Sequence, residues 1–184
     1  MPVPVATVAD LILARSAERG QRLSNLKLQK LLYYAQGYHL AATGEPLYET
    51  PVRAWEHGPV VPEIWHRHRT DIGWLTIDAV PVAPQVPEVF AATVGLVLDE
   101  FLGFSAEELR AMSHEEAPWR VTRRANPDTA SPIIPVEMIG GYFRERWRLA
   151  GRQVAEANGL SVAAIKERAR AIIHRHDALF RRLA

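Results

Sequence analysis

Apolar residues recur at intervals of three and four along most of the chain, and this spacing predicts a mainly helical protein. The first helix should begin near Thr7, which stands three residues before Asp10 as in a capping box, and should end at Gly20. A second helix should run from a Ser24 cap to Gly44. It should be the central buried helix, because it places four apolar residues on one face: Leu28, Leu31, Leu32 and Ala35.

Helical spacing returns after Pro87 and continues to the end of the chain. One helix should reach Gly103, and two short helices should follow at serine–glutamate capping pairs, Ser105 with Glu108 and Ser113 with Glu116. A long helix is predicted from Val136 and a last one from Ser161. These two should form a C-terminal helical hairpin or extension.

Two segments depart from the helical period and predict short strands. Val52 and Ala54 favour an extended segment, residues 74–82 are the other candidate, and the two could pair. Gly58 and Pro59 should then turn the first strand into a helix over residues 61–68. The predicted fold class is therefore mostly α with a minor two-stranded β element.

Composition and charge narrow the functional classes. The 184 residues include no cysteine, which excludes disulfides and thiolate metal sites. No apolar run reaches the roughly 18 residues of a membrane helix, and the first residues lack the features of a secretory signal, so we expect a soluble cytoplasmic protein without a membrane partner. Residues from Gly140 onward carry net +6, which leaves −5 for residues 1–139. Such a basic tail suggests an acidic partner, although it can also be simply solvated.

Residues 54–68 hold three histidines and two carboxylates, which raises the question of a metal site. His66 and His68 are two residues apart, so on a helix they point about 200° apart and cannot share a metal ion. His57 precedes that helix, and only Glu63 shares a face with His66. Sequence motifs of hydrolases, nucleotide-binding and zinc enzymes do not occur. We therefore predict no metal, no cofactor and no catalytic residue.

Three separated blocks of sequence together resemble the Panacea domain family, the SocA- and GepA-like proteins of bacteria and phages. They are "LSNLKLQKLLYYAQGYHLAATGEPLY", "AWEHGPVVPEIWHRH" and "FSAEELRAMSHEEAPW", in the family's order. The family's structural motifs fall on the leucines of the second helix, on a W-x-x-G-P-V corner and on an S-H-x-x-x-P-W corner: Leu28, Leu31, Leu32, Trp55, Gly58, Pro59, His114, Pro118 and Trp119. The resemblance implies a Panacea domain over residues 1–150. Residues 151–184 would form a basic amphipathic helical extension packed on it.

The resemblance also implies a function. Members are commonly encoded beside a small toxic protein and neutralise it by binding, so the implied function is that of an antitoxin with a protein toxin as partner. One branch of the family acts as an adaptor that hands its toxin to a ClpXP-type protease. A DNA-binding regulator of its own operon is the alternative function that the basic tail keeps open. An enzyme, such as a histidine-dependent hydrolase, ranks third.

Two groups of cationic residues are the predicted toxin contacts. Lys27, Lys30 and Tyr34 follow helical spacing and should form one stripe, either as a contact patch for an acidic toxin surface or as a solvated helix face. The C-terminal helix adds Arg168, Arg175 and Arg181 beside its apolar residues. By contrast, we expect His114 and Trp119 to serve the fold rather than a binding pocket.

Overall fold

A computed structural model describes residues 1–69, 76–77 and 82–157. The described residues form seven helices and one β-hairpin, which confirms the predicted fold class of mostly α with a two-stranded β element. In chain order the elements are α1 Val5–Glu18, α2 Asn25–Thr43, β1 Arg53–Trp55, β2 Gly58–Val60, α3 Pro62–Arg67, α4 Glu88–Phe101, α5 Ala106–Glu115, α6 Ala117–Ala125 and α7 Val136–Ala157. None of these helices is by itself long and apolar enough to cross a membrane.

Helix α2 is the centre of the fold, as predicted. Its first turn is capped by Ser24, whose Oγ accepts a hydrogen bond from the backbone N–H of Lys27 at 3.3 Å. It ends at Gly44, which adopts the left-handed conformation with φ +80°. Because α1, α4, α5, α7 and β2 all pack on it, 14 of its 19 residues are buried and it has no solvent-exposed face between Leu28 and Leu40.

The sequence predicted capping boxes at three further helix starts, and one of the three is present. Helix α1 begins at Val5, directly after Pro4, and no side chain caps it, so the capping box predicted at Thr7 and Asp10 is wrong. Both residues lie inside the helix, whose start is fixed by the proline. The capping box at Ser105 is confirmed, because its Oγ accepts from the Glu108 N–H at 3.2 Å and its N–H donates to the Glu108 carboxylate at 2.7 Å.

The second capping box, predicted at Ser113 and Glu116, is also wrong. Ser113 lies inside α5, where its hydroxyl donates to the carbonyl oxygen of Arg110 at 2.9 Å. Glu116 is instead the residue that separates α5 from α6, and α6 carries Pro118 in its first turn, a position at which proline leaves no backbone hydrogen bond unmade. The chain therefore turns between two short helices at Glu116.

The β-hairpin is more local than predicted. Strand β1 pairs antiparallel with β2 across a two-residue turn, with Arg53 opposite Val60 and Trp55 opposite Gly58. The other edge of β1 bridges Ile133 at Arg53, so the described residues do not show the pairing of β1 with residues 74–82. Within that segment the structure describes Thr76 and Ile77, and Thr76 forms an isolated bridge with Ser24 instead.

Aromatic rings fill the space between α2, α4 and α7. Tyr34 stacks on Phe101 at a ring-centroid distance of 4.0 Å, and Phe143 of α7 packs edge-on against Tyr33 and Tyr34. Gly37 makes this possible, because any side chain there would collide with the Phe143 ring. Helix α7 is thus docked on the core by Phe143. It runs to Ala157, through the domain boundary predicted at residue 150, and the predicted hairpin partner from Ser161 lies outside the described residues.

Candidate functional site

The side chain of Lys30 lies in the interior of the protein rather than on the predicted surface stripe. It is 0% exposed, and its Nζ donates to the carbonyl oxygens of His57 at 2.6 Å and Pro59 at 3.0 Å. Burial lowers the pKa of Lys30 to about 7; the charge of Arg110 acts in the same direction and that of Glu107 opposes it. Lys30 therefore fastens the middle of α2 to the corner of the hairpin.

Gly58 lies directly under this ammonium group. A Cβ atom at Gly58 would be 2.6 Å from Lys30 Nζ and 3.0 Å from Ser113 Oγ, and the backbone has φ +99°. Both the close approach and the positive φ require glycine. The glycine of the W-x-x-G-P-V motif is thus the point at which the hairpin, α2 and α5 meet, with Pro59 supplying one of the two carbonyl groups that hold Lys30.

The S-H-x-x-x-P-W motif meets the same hairpin from the other side. The His114 ring stacks on the Trp119 indole at a centroid distance of 3.9 Å and an angle of 6°. The indole N–H of Trp119 donates to the carbonyl oxygen of Trp55 at 2.8 Å, while the indole of Trp55 donates to Ser131 Oγ at 2.7 Å. Burial lowers the pKa of His114, and the charge of Lys30 acts in the same direction. The two corner motifs and helix α2, which are distant in sequence, therefore form one connected structure around Lys30, called here the motif structure.

Two polar residues of α2 that were not predicted as site residues complete this structure. Asn25 donates from Nδ2 to the carbonyl oxygen of Trp65 at 2.9 Å. Gln29 donates to Asn25 Oδ1 at 3.1 Å and accepts from the N–H of Val61 at 2.9 Å, which fixes the start of α3. The sequence signal for this pair is the spacing of four residues between two side-chain amides in a leucine-rich helix. Both residues are buried.

A second buried polar cluster joins α2 to α5, α6 and α7. The carboxylate of Glu116 accepts from Arg146 Nη1 at 2.9 Å, and burial raises the pKa of Glu116 to about 7 although Tyr33 and Arg146 oppose the shift. The hydroxyls of Tyr33 and Tyr34 lie beside this carboxyl group, yet neither they nor Glu116 Oε2 make a hydrogen bond of normal geometry with the described residues. Tyr38 donates to Glu100 at the edge of the same cluster.

The other members of the predicted stripe are also engaged within the protein. Lys27 is half-buried, and its Nζ donates to the carbonyl oxygen of Leu102 at 2.7 Å and to Gln21 Oε1 at 3.2 Å. Tyr34 is 0% exposed and stacks on Phe101. The predicted exposed stripe does not exist, because α2 is covered on all sides. The other predicted contacts, Arg168, Arg175 and Arg181, lie outside the described residues.

The structural motif residues lie where a scaffold role requires them. Leu28, Leu31 and Leu32 are each 0% exposed, and Pro118 is buried in the first turn of α6. The histidines of residues 54–68 do not converge: in the parts of the chain that the structure describes, no three His, Asp or Glu side chains are placed to hold a metal ion. His66 instead packs its ring against Trp55.

An open depression lies beside the stacked pair of His114 and Trp119. Its volume is about 620 Å³, and it is lined by one acidic residue, three arginines and the stacked rings: His114, Glu115, Trp119, Arg120, Arg123 and Arg124. Four of these residues belong to α6, which carries three arginines and no carboxylate over its nine residues. This side of the motif structure is therefore accessible and positively charged, whereas the Lys30 side is closed.

Comparison with known proteins covers the part of the chain that holds these motifs. The family described as "Antitoxin SocA-like, Panacea domain" matches residues 28–120, a range that contains Lys30, Gly58, Ser113 and Trp119. The chain is 43% identical to the antitoxin SocA of Caulobacter vibrioides (strain NA1000 / CB15N) over 170 residues, which covers 86% of this chain and 89% of that protein. No solved structure matches it. The chain therefore belongs to the family of SocA-like antitoxins that share the Panacea domain.

Proposed function

We propose that this protein neutralises a cognate protein toxin by binding it directly. The observation that carries the proposal is the 43% identity to an antitoxin over 86% of the chain, which extends well beyond the family motifs at residues 28–120. An antitoxin acts on another molecule, and the protein offers an accessible, charged surface on α6 next to a rigid scaffold. Binding rather than catalysis is the function that these features support.

The buried residues and the exposed residues have different roles in this proposal. Lys30 and Tyr34 support the scaffold, since both are 0% exposed and their replacement would act on folding. Lys27 is half-buried and stays a proposed contact at the edge of α2. Arg168, Arg175 and Arg181 of the basic tail also stay proposed contacts, supported by the net charge of +6 from Gly140 onward.

Neutralisation has two mechanisms that a growth assay separates. The protein encoded by the neighbouring reading frame is expressed alone and together with this chain, in cells with and without an active ClpXP-type protease. Rescue in both strains is the result expected for neutralisation by occlusion. Rescue only in protease-competent cells would identify the chain as an adaptor that delivers the toxin. No rescue of a toxic neighbour in either strain would contradict the proposed function.

Binding of operator DNA is the second candidate function, and the basic tail favours it. Phosphate contacts release counterions, so such binding would weaken steeply with rising salt concentration. A mobility-shift titration of the full chain on the upstream DNA at two salt concentrations measures this. The absence of a shift even at low salt would exclude it.

A further inference from the structure

Helix α6 is a basic element in an acidic part of the chain. Residues 1–139 carry a net charge of −5, yet the nine residues of α6 hold three arginines and no carboxylate. Arg120, Arg123 and Arg124 follow helical spacing and share one face, whereas the opposite face buries Pro118 and Thr122 against the protein. The positive charge is therefore concentrated on the outward face of one short helix.

One of these arginines is fixed in place without being neutralised. Arg123 donates from Nη1 to the carbonyl oxygen of Thr129 at 3.1 Å and makes longer contacts, at 3.4 Å, with the carbonyl oxygens of Ala54 and Ala130. Carbonyl groups hold the guanidinium in position but carry no net charge. The full positive charge of Arg123 thus remains available to an incoming anion, with little further loss of side-chain entropy.

The other two arginines are exposed and unpaired. Within the described part of the chain, neither Arg120 nor Arg124 makes a hydrogen bond or an ion pair, whereas Arg15, Arg19, Arg67 and Arg110 each pair with a carboxylate. They are one helical turn apart, about 5–6 Å between Cβ atoms. Two carboxylates at a similar separation on one partner element would match them.

The floor of the depression beside them is rigid and partly apolar. The stacked rings of His114 and Trp119 form it, and the hydrogen bond from Trp119 to Trp55 fixes the indole. Val121, which is 45% exposed, borders the arginines on the same helix. A rigid aromatic surface with an arginine rim is typical of the residues that dominate protein–protein binding energy.

We propose that this surface, formed by His114, Trp119, Arg120, Arg123 and Arg124, binds an acidic segment of the cognate toxin. The inference rests on the proposed function and adds to it the surface and the partner's chemistry. Charge complementarity selects the occupant, because the three arginines have no carboxylate partner among the described residues and lie in a region of net negative charge. The stacked rings and the exposed Val121 add apolar area between the arginines, which suits a protein segment better than a phosphate backbone.

The test is a binding titration of full-length protein with the protein encoded by the neighbouring reading frame. In the variant R120E/R124E, both exposed arginines become glutamates, and like charges then face the acidic segment. We expect the dissociation constant to rise by at least about tenfold, since opposed like charges at an interface cost several kcal/mol and tenfold corresponds to about 1.4 kcal/mol. The milder R120Q/R124Q should weaken binding less.

The control variant R15E/R69E makes the same change in net charge at two exposed arginines away from α6. Its toxin affinity should equal that of the wild type, and thermal unfolding should show that all variants are folded. Lysine substitutions at the toxin's acidic residues should restore binding to R120E/R124E, which identifies the carboxylates involved.

The outcomes separate this inference from the proposed function. If the wild type does not bind the neighbouring protein, the proposed function itself is contradicted. If the wild type and R120E/R124E bind and neutralise it equally well, only the α6 surface is overturned. Unchanged toxin binding together with loss of a duplex-DNA mobility shift in R120E/R124E would assign the surface to nucleic acid and would also overturn the inference.

Discussion

Replacing Gly58 with alanine tests whether the family motifs are held together at Lys30. The added methyl group would be 2.6 Å from Lys30 Nζ and 3.0 Å from Ser113 Oγ, both inside normal contact distance. The backbone at Gly58 also has φ +99°, which an alanine adopts only with strain. The substitution therefore perturbs one motif glycine and, through it, the buried ammonium group.

The expected cost has two parts. Positive φ costs alanine about 1–2 kcal/mol relative to glycine. To avoid the methyl group, Lys30 must give up at least one of its two hydrogen bonds to the carbonyl oxygens of His57 and Pro59. At a pH below about 7, where Lys30 is charged, such a bond contributes about 1.5–3 kcal/mol. The free energy of unfolding should thus fall by about 2.5–5 kcal/mol, a large share of the stability of a typical domain.

The assay is equilibrium unfolding in urea, followed by circular dichroism, with Gly95→Ala as the matched control. Gly95 lies inside α4, and a Cβ atom there would meet no other atom within 4 Å. Alanine is the better helix former by about 1 kcal/mol, so this control should be slightly stabilised. If the free energies of unfolding of Gly58→Ala and the wild type differ by less than about 0.5 kcal/mol, the close contact between Gly58 and Lys30 does not stabilise the fold.

Three further substitutions probe the buried polar groups and the docking of α7. In the wild type, the free energy of unfolding should rise between pH about 7 and 10.5, because the Lys30 amine is protonated in the unfolded chain and neutral in the folded one. Lys30→Met should remove this rise, and equal pH slopes for both proteins would contradict it. In the wild type, the free energy of unfolding should fall by about 3 kcal/mol between pH 4.5 and about 7, because Glu116 holds a proton in the folded chain that the unfolded chain has lost. Glu116→Gln should remove this fall, and parallel pH profiles of the two proteins in urea unfolding would contradict it. Gly37→Ala should lower the urea midpoint by the equivalent of about 1–3 kcal/mol through overpacking against Phe143, and an unchanged midpoint would show that α7 is not docked there.

The sequence was a good guide where the determinants of structure are local. The cap at Ser24 and the left-handed Gly44 define α2 from within a few residues of its ends, and both are present. The capping box at Ser105 is equally local and equally correct. At Thr7 the same pattern misled, because Pro4 starts the helix three residues earlier.

The role of Lys30 could not be predicted, because its partners are distant in the chain. The carbonyl groups that bind it come 27 and 29 residues later, and carbonyl groups leave no mark on residue type. A stripe of polar residues such as Lys27 and Lys30 indicates a solvent-exposed face only when no other element packs on that side of the helix. Helix α2 is covered on all sides. The unpaired exposed arginines Arg120 and Arg124 lie on α6 instead, a helix for which the sequence predicted only the structural residues Pro118 and Trp119.

Direct binding of the neighbouring gene product is the property of this protein on which its proposed function depends. Purified full-length chain is titrated with that protein by calorimetry, and the mixture is analysed by size-exclusion chromatography. Saturable binding and a co-eluting complex, both weakened in R120E/R124E and unchanged in R15E/R69E, are the predicted results. Neutralisation in cells without any measurable complex between the purified proteins would contradict the claim that this member of the SocA-like family acts by binding its toxin.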